Sequence, residues 1–145
     1  MTGVPDGLAS RILEGSPDAI VVCDRAGTVH YWNASAERTF GFAAAEALGV
    51  SMDFIIPERF RARHWAGWEA AMKAGVTRYA AGQLLAVPAL HKDGRQISIE
   101  FSIQFVKGAD DRVQLVAAFV RDVTERYRRE RTLRAELSAL KTVSP

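Results

Sequence analysis

Cysteine is nearly missing from this chain. A single one in 145 residues, Cys23, excludes an internal disulfide and a thiolate-rich metal centre. It stands in the apolar run Ala19-Ile20-Val21-Val22-Cys23, where a free thiol packs as a small, inert hydrophobe. Histidine is also scarce, and His30, His64 and His91 are too scattered for a zinc site. No apolar stretch is long enough to span a bilayer. The opening Met1-Thr2-Gly3-Val4-Pro5-Asp6-Gly7 lacks the basic and apolar regions of a signal peptide, so a cytoplasmic protein with no membrane role is expected. Catalytic signatures are missing as well: there is no nucleophile–base pair in a recognisable context, no phosphate loop and no carboxylate dyad. Gly82 and Gly94 are isolated, no internal repeat is visible, and no enzyme activity is expected.

What is present is a core. With 48% apolar residues, one domain of this length buries roughly two-thirds of its unfolded surface. The net charge of +2 is uneven. From Arg121 onward, seven Lys/Arg stand against four Asp/Glu, so the basic character belongs to the tail. Acids interleave those bases without a broad apolar stripe, which fits a solvated helix rather than a nucleic-acid-binding one.

The last third is the most legible. Ile97, Ile99, Phe101, Ile103 and Phe105 alternate with Gln96, Ser98, Glu100, Ser102 and Gln104, the period of two of a half-buried strand. A turn at Gly108-Ala109-Asp110-Asp111 leads to a second strand over Leu115–Val120. At Arg121–Arg126 the period changes and a helix begins. Asp122 and Glu125 fit an Asp-x-x-Glu capping box there, with Thr124 adding a side-chain bond. Leu133, Leu137 and Leu140 continue that helix at 4-3 spacing, a short stretch of coiled-coil seam.

Upstream, Leu8–Glu14 predicts a short amphipathic helix, and Ala19–Cys23 and Thr28–Trp32 a hairpin across Asp24-Arg25-Ala26-Gly27. Asn33 is placed to cap a helix over Ala34–Phe40, which Gly41 ends. Short helical turns follow at Ala43–Leu48 and Ser51–Ile55. Pro57 introduces the longest internal helix, Glu58–Ala74. Leu84–Leu90 is a strand whose Pro88 points to an edge or irregular position. Asp93-Gly94 in Lys92-Asp93-Gly94-Arg95 predicts a tight hairpin with two positive φ values. The element order gives an α+β domain, with helices covering one face of an antiparallel sheet and a cavity between the layers.

Four segments in this order resemble the PAS domain family. Pro17–Gly27 is similar to its opening hairpin, Trp32–Phe42 to the helix that follows, His91-Lys92-Asp93-Gly94-Arg95 to its late hairpin, and Val120–Arg126 to its exit motif. The resemblance implies a five-stranded antiparallel sheet of order 2-1-5-4-3 and a C-terminal signalling helix. It divides the chain into an N-terminal flanking helix (1–16), a sensory domain (17–122) and a linker helix (123–145). It further implies a module that binds a ligand or cofactor, or that dimerises through the N-terminal helix, the sheet face or the C-terminal helix, and that signals to an effector not visible in this chain.

His64 is the sharpest candidate in the sequence. Phe60, His64, Gly67 and Ala71 share one side of the helix, flanked by Trp65, Trp68 and Met72. An imidazole in an apolar pocket can ligate haem iron. Pro57–His64 resembles the segment holding the haem-ligating His in oxygen-sensing PAS domains of nitrogen-fixation kinases, which implies haem b on His64. The departures are Leu84 and Leu85 where those domains carry a distal Arg, and Ala70 in place of a basic partner further along the helix. Leucines cannot donate a hydrogen bond, so oxygen selectivity would differ. Arg78 is a candidate propionate partner. Trp68, Met72, Leu84, Leu85, Ile99, Phe101, Ile103, Leu115, Ala117 and Phe119 are the candidate pocket wall, for haem or another small ligand. The other reading makes His64 a packed histidine, and the wall ordinary core. His30 and His91 are expected to be solvent-exposed. A flavin-photoadduct subtype needs a Cys after the first short helices, and Ser51–Arg61 contains none.

Overall fold

The computed structural model describes residues 5–76 and 84–143. The elements run α1 (Leu8–Gly15), β1 (Ala19–Asp24), β2 (Val29–Trp32), α2 (Ala34–Phe40), α3 (Ala44–Ala47), a 3₁₀ turn (Met52–Ile55), α4 (Glu58–Ala74), β3 (Leu85–Leu90), β4 (Gln96–Lys107), β5 (Val113–Asp122) and α5 (Thr124–Val143). The sheet is antiparallel, in the expected order β2-β1-β5-β4-β3. β3 lies at an edge, which is where Pro88 can be tolerated without losing an interior ladder bond.

All three hairpins close in the same way. The amides of Gly27, Gly94 and Asp111 donate to the carbonyls of Asp24, His91 and Gly108, while Asp24, His91 and Gly108 donate to Thr28, Arg95 and Arg112. This is a three-residue loop, a type I turn followed by one left-handed residue. Gly27 and Gly94 fill that position at φ 88° and 93°, and Asp111 fills it at φ 62°. The Asp93-Gly94 hairpin therefore has one positive φ, not the two expected. Asp93 instead accepts from the Arg95 amide and guanidinium.

Pleating assigns the faces. Phe101, Ile103 and Phe105 lie opposite Val120, Ala118 and Val116, which in turn lie opposite Ala19, Val21 and Cys23. These side chains form the inner face, and α2, α3 and the 3₁₀ turn pack on it through Ala36, Phe40, Ala47 and Ile55. Leu115, Ala117 and Phe119 alternate with them and point to the outer face. Cys23 is buried, and its thiol is pushed up to about 12 by desolvation and then by the Asp24 charge, so it is inert as expected.

Asn33 joins the front half of the chain. It is fully buried, and its Oδ1 accepts from the amides of Ile20 and Ala36, both at 2.9 Å. Its Nδ2 donates to the carbonyls of Leu13 (2.8 Å) and Asp18 (3.1 Å). The helix cap read from sequence is one of four bonds, and the other three tie α1 and β1 to α2. Asn33→Ala leaves buried backbone groups unpaired. The expected loss is about 3 kcal/mol in urea unfolding, and a loss under 1 kcal/mol would show that water replaces the amide.

Candidate functional site

α4 spans the inner side of the sheet. Its inward residues are Phe60, Arg61, His64, Trp65, Trp68, Ala71 and Met72, all at least partly buried, whereas Gly67 is exposed. The buried stripe is thus centred on the tryptophans that the sequence placed at its flank. Trp68 touches both apolar clusters of the domain. One contains Ile99, Phe101 and Trp65; the other contains Met72, Ile103, Val113 and Val116.

His64 lies half-buried against both indoles, whose own ring centres are 5.5 Å apart. Its ring centre is 4.6 Å from that of Trp65, edge-on, and 5.8 Å from that of Trp68. Its Nδ1 is buried and has no hydrogen-bond partner among the described residues. Desolvation holds its pKa below the usual imidazole value, and the Asp53 carboxylate only partly opposes this. The result is a neutral imidazole with a free ring nitrogen, the form that binds a metal or a hydrogen-bonding ligand.

The neighbours fix this geometry. Trp65 Nε1 donates to Asp53 Oδ1 at 2.7 Å, and Trp68 Nε1 donates to the Arg25 carbonyl at 2.8 Å. The Trp65 ring lies on Gly27, where a methyl group would come within 2.2 Å of Cη2. Gly27 thus serves both the turn's positive φ and this close approach. The Arg25 guanidinium donates to Met72 O (3.0 Å) and Val113 O (3.2 Å). Sequence reasoning missed Arg25 and Asp53. Arg25 reads locally as a turn residue, and its partners lie 47 and 88 positions away.

The predicted wall divides. Trp68, Met72, Ile99, Phe101 and Ile103 lie between α4 and the inner face. Leu85 is half-buried and opposite Phe101, on the same face. Leu115, Ala117 and Phe119 are corrected to the outer face by the β5 register. Leu84 precedes β3 and is 58% exposed, so it is not wall. Arg78 lies outside the described residues. His30 is exposed and 2.7 Å from Asp24, but the His91 side chain is only 15% exposed and covers Gly41, contrary to expectation. Among the described residues, no three metal-binding side chains cluster. None of their helices is long and apolar enough to cross a membrane.

The exit is built differently from the capping box expected. Helix α5 begins at Thr124, so Glu125 is too early to reach back; it is exposed and makes no such bond among the described residues. Asp122 Oδ1 accepts from the Thr124 amide at 2.9 Å. Thr124 Oγ1 accepts from the Ser98 amide at 3.0 Å, and the Val123 amide donates to Ser98 O at 2.8 Å. Arg126 pairs with Glu100 at 2.8 Å. The junction is therefore stitched to β4. Beside it, a groove of about 370 Å³ runs between α5 and the outer side of β3 and β4, lined by Pro88, Gln96, Ser98 and Tyr127.

The family model for the PAS fold matches residues 13–128. The chain belongs to the PAS family. An uncharacterised protein of Azorhizobium caulinodans is 30% identical over 131 residues, covering 90% of this chain and 17% of that protein. The sensor protein FixL of Bradyrhizobium diazoefficiens is 29% identical over 133 residues, covering 92% of this chain and 26% of FixL. The chain thus spans about a quarter or less of these relatives. An RNA-binding light-oxygen-voltage receptor superposes with TM-score 0.74 at 26% identity, over 95% of this chain and 40% of that one. A PAS domain from Colwellia psychrerythraea superposes with TM-score 0.68 at 22% identity, over 81% of this chain and 95% of that one, a likeness of fold. The PAS domain here is a sensory domain of the kind found in signalling proteins.

Burial of neutral His64 has a pH signature. Its folded pKa lies below its unfolded value, so the unfolded state binds more protons in the window between them. Stability then rises with pH across that window: the His64 contribution is full above about pH 6.5 and is lost as pH falls toward the folded pKa. Urea midpoints at pH 5 and pH 7.5 should differ less in His64→Gln than in the wild type, and equal differences would place His64 in solvent.

Proposed function

We propose that this PAS domain is the input module of a signalling protein and takes a small ligand or cofactor between α4 and the inner face of β3, β4 and β5. The observation that carries the reading is the buried Nδ1 of His64, beside Trp65 and Trp68, which has no hydrogen-bond partner among the described residues. A buried polar atom left without a partner costs about 1–3 kcal/mol, and an occupant that bonds it recovers that cost. Haem b is the specific cofactor proposed. The neutral imidazole of His64 would hold the iron, and Trp68, Met72, Leu85, Phe101 and Ile103 would supply apolar contact. Haem bound there would supply an iron that responds to a diatomic gas or to redox state. At Leu84 and Leu85 the described residues offer apolar side chains and no Arg to hydrogen-bond a gas, in keeping with altered oxygen selectivity. The flanking helix (1–16), sensory domain (17–122) and linker helix (123–145) are the proposed division of labour. The module works without catalysis in the cytoplasm, contacts neither nucleic acid nor membrane, and acts on an effector through α5.

Output follows from differential binding. An occupant shifts α5 only if it binds two sheet states unequally, and moving a 1:99 equilibrium to 99:1 takes about 5.5 kcal/mol. Hemin added to the purified protein should give a Soret band that disappears in His64→Ala while far-UV circular dichroism is unchanged. A band that survives the substitution removes His64 as ligand; no band removes haem, and native mass spectrometry then reports any other occupant.

A second reading, a ligand-free dimerisation module, is favoured by the exposure of Leu133, Leu137 and Leu140 along α5. If it holds, sedimentation velocity of the hemin-free protein shows a dimer that Leu133→Ser with Leu137→Ser dissociates. A dimer indifferent to both substitutions places the interface elsewhere.

A further inference from the structure

We infer that Arg25 is a positioning residue that couples α4 to the central strand of the sheet, so that a change at Trp68 is delivered to the first residues of β5. The inference deepens the reading of the α4 wall as the input site and rests on it.

Three hydrogen bonds carry the argument. The Trp68 indole donates to the Arg25 carbonyl at 2.8 Å. The guanidinium of the same residue reaches back to α4, where Nη2 donates to Met72 O at 3.0 Å. Met72 lies in the last turn of α4, where carbonyls lack intrahelical partners and a cation is favoured by the helix dipole. Its other arm, Nη1, donates to Val113 O at 3.2 Å, at the start of β5. Arg25 therefore holds one helix at two points and one strand at a third.

The surroundings make this a defined path. Arg25 sits in the three-residue β1–β2 loop, whose Gly27 is pinned beneath Trp65. Two neighbouring indoles of α4 thus engage one turn, and that turn sends the Arg25 side chain on to β5. Trp68, Met72, Val113 and Val116 also belong to one apolar cluster, so the polar bridge runs over a packed contact. Replacing Arg by Lys cannot reproduce the bridge, because a single ammonium does not present two planar arms to two carbonyls.

The test needs no ligand, so it can fail while hemin binds, and succeed while hemin does not. Amide hydrogen exchange is measured at Val113–Val116 in the wild type, Trp68→Phe, Arg25→Gln and the double variant. Trp68→Phe keeps an aromatic ring and loses the N–H bond together with part of the indole's bulk, and the Arg25→Gln background separates the two losses. We expect Trp68→Phe to raise exchange at Val113–Val116 several-fold when Arg25 is present and to add less than twofold in the Arg25→Gln background. Arg25→Lys should behave like Arg25→Gln at Val113 while keeping the overall circular dichroism of the wild type. If Trp68→Phe raises β5 exchange equally with and without Arg25, or Arg25→Lys leaves the coupling intact, the inference is wrong. Should Trp68→Phe fail to fold, comparing Arg25→Lys with wild type for simultaneous loosening of Met72–Gly75 and Val113–Val116 decides the question; loosening of only one segment overturns it.

Discussion

The register of β5 is the constraint on which the rest depends. β5 is the middle strand, paired with β1 on one side and β4 on the other. Because side chains alternate, one choice of register fixes all three strands at once. Here it turns Val116, Ala118 and Val120 inward together with Ala19, Val21 and Cys23, and with Phe101, Ile103 and Phe105. The same choice ends β5 with Asp122 opposite Ile99, leaving Val123 and Thr124 beside Ser98. Core, candidate pocket wall and exit therefore share one geometric origin. A slip by a single residue would expose the first, empty the second and misplace the third.

Against that face, α4 stands on bulky side chains. Trp65 and Trp68 combine apolar bodies with one N–H each, and both N–H groups find acceptors on the β1–β2 loop or the 3₁₀ turn. Both indole donors of the wall are therefore committed to the scaffold, and among the described residues His64 Nδ1 is not. The contrast separates a structural polar group from an available one. Asn33, fully buried, uses both amide atoms, and its role is to hold three elements together. Among the described residues, the buried Nδ1 of His64 has no partner.

Much of this was legible in the sequence, and the exceptions share a cause. Helix α4 is legible to the residue, because Pro57 and Gly75 bracket an unbroken helical run. The sheet order followed from the family resemblance, and the inner face of β4 from strict alternation. β5 is different: Leu115-Val116-Ala117-Ala118-Phe119-Val120 is apolar at every position, so its sequence carries no parity and cannot tell the wall half, Val116, Ala118 and Val120, from Leu115, Ala117 and Phe119. That is expected of a central strand with apolar residues on both faces. Arg25, and the contact of Ser98 with Thr124, are set by tertiary neighbours that no local pattern encodes. The capping box failed by one residue of helix start, a shift that local propensity does not resolve.

The energetics of the exit suit a switch. From Glu125 to Thr142 every residue of α5 is exposed, so no buried core holds the helix to the domain. What holds it is local: two hydrogen bonds to Ser98, the Asp122 cap, and the Arg126–Glu100 pair. Hydrogen bonds contribute about 1 kcal/mol each in net terms, and a pair with one partner in solvent about 0–1 kcal/mol. The docking of α5 thus amounts to about 3–4 kcal/mol. That is close to the differential affinity a single bound ligand can supply between two states. By contrast β5, paired on both edges, cannot be displaced without breaking the fold. A signal entering near α4 would therefore leave the strands paired and spend itself at the weakest joint, the turn from Asp122 into α5. Under the proposed function, this difference in stability would select the site of output, whichever molecule occupied the wall beside His64.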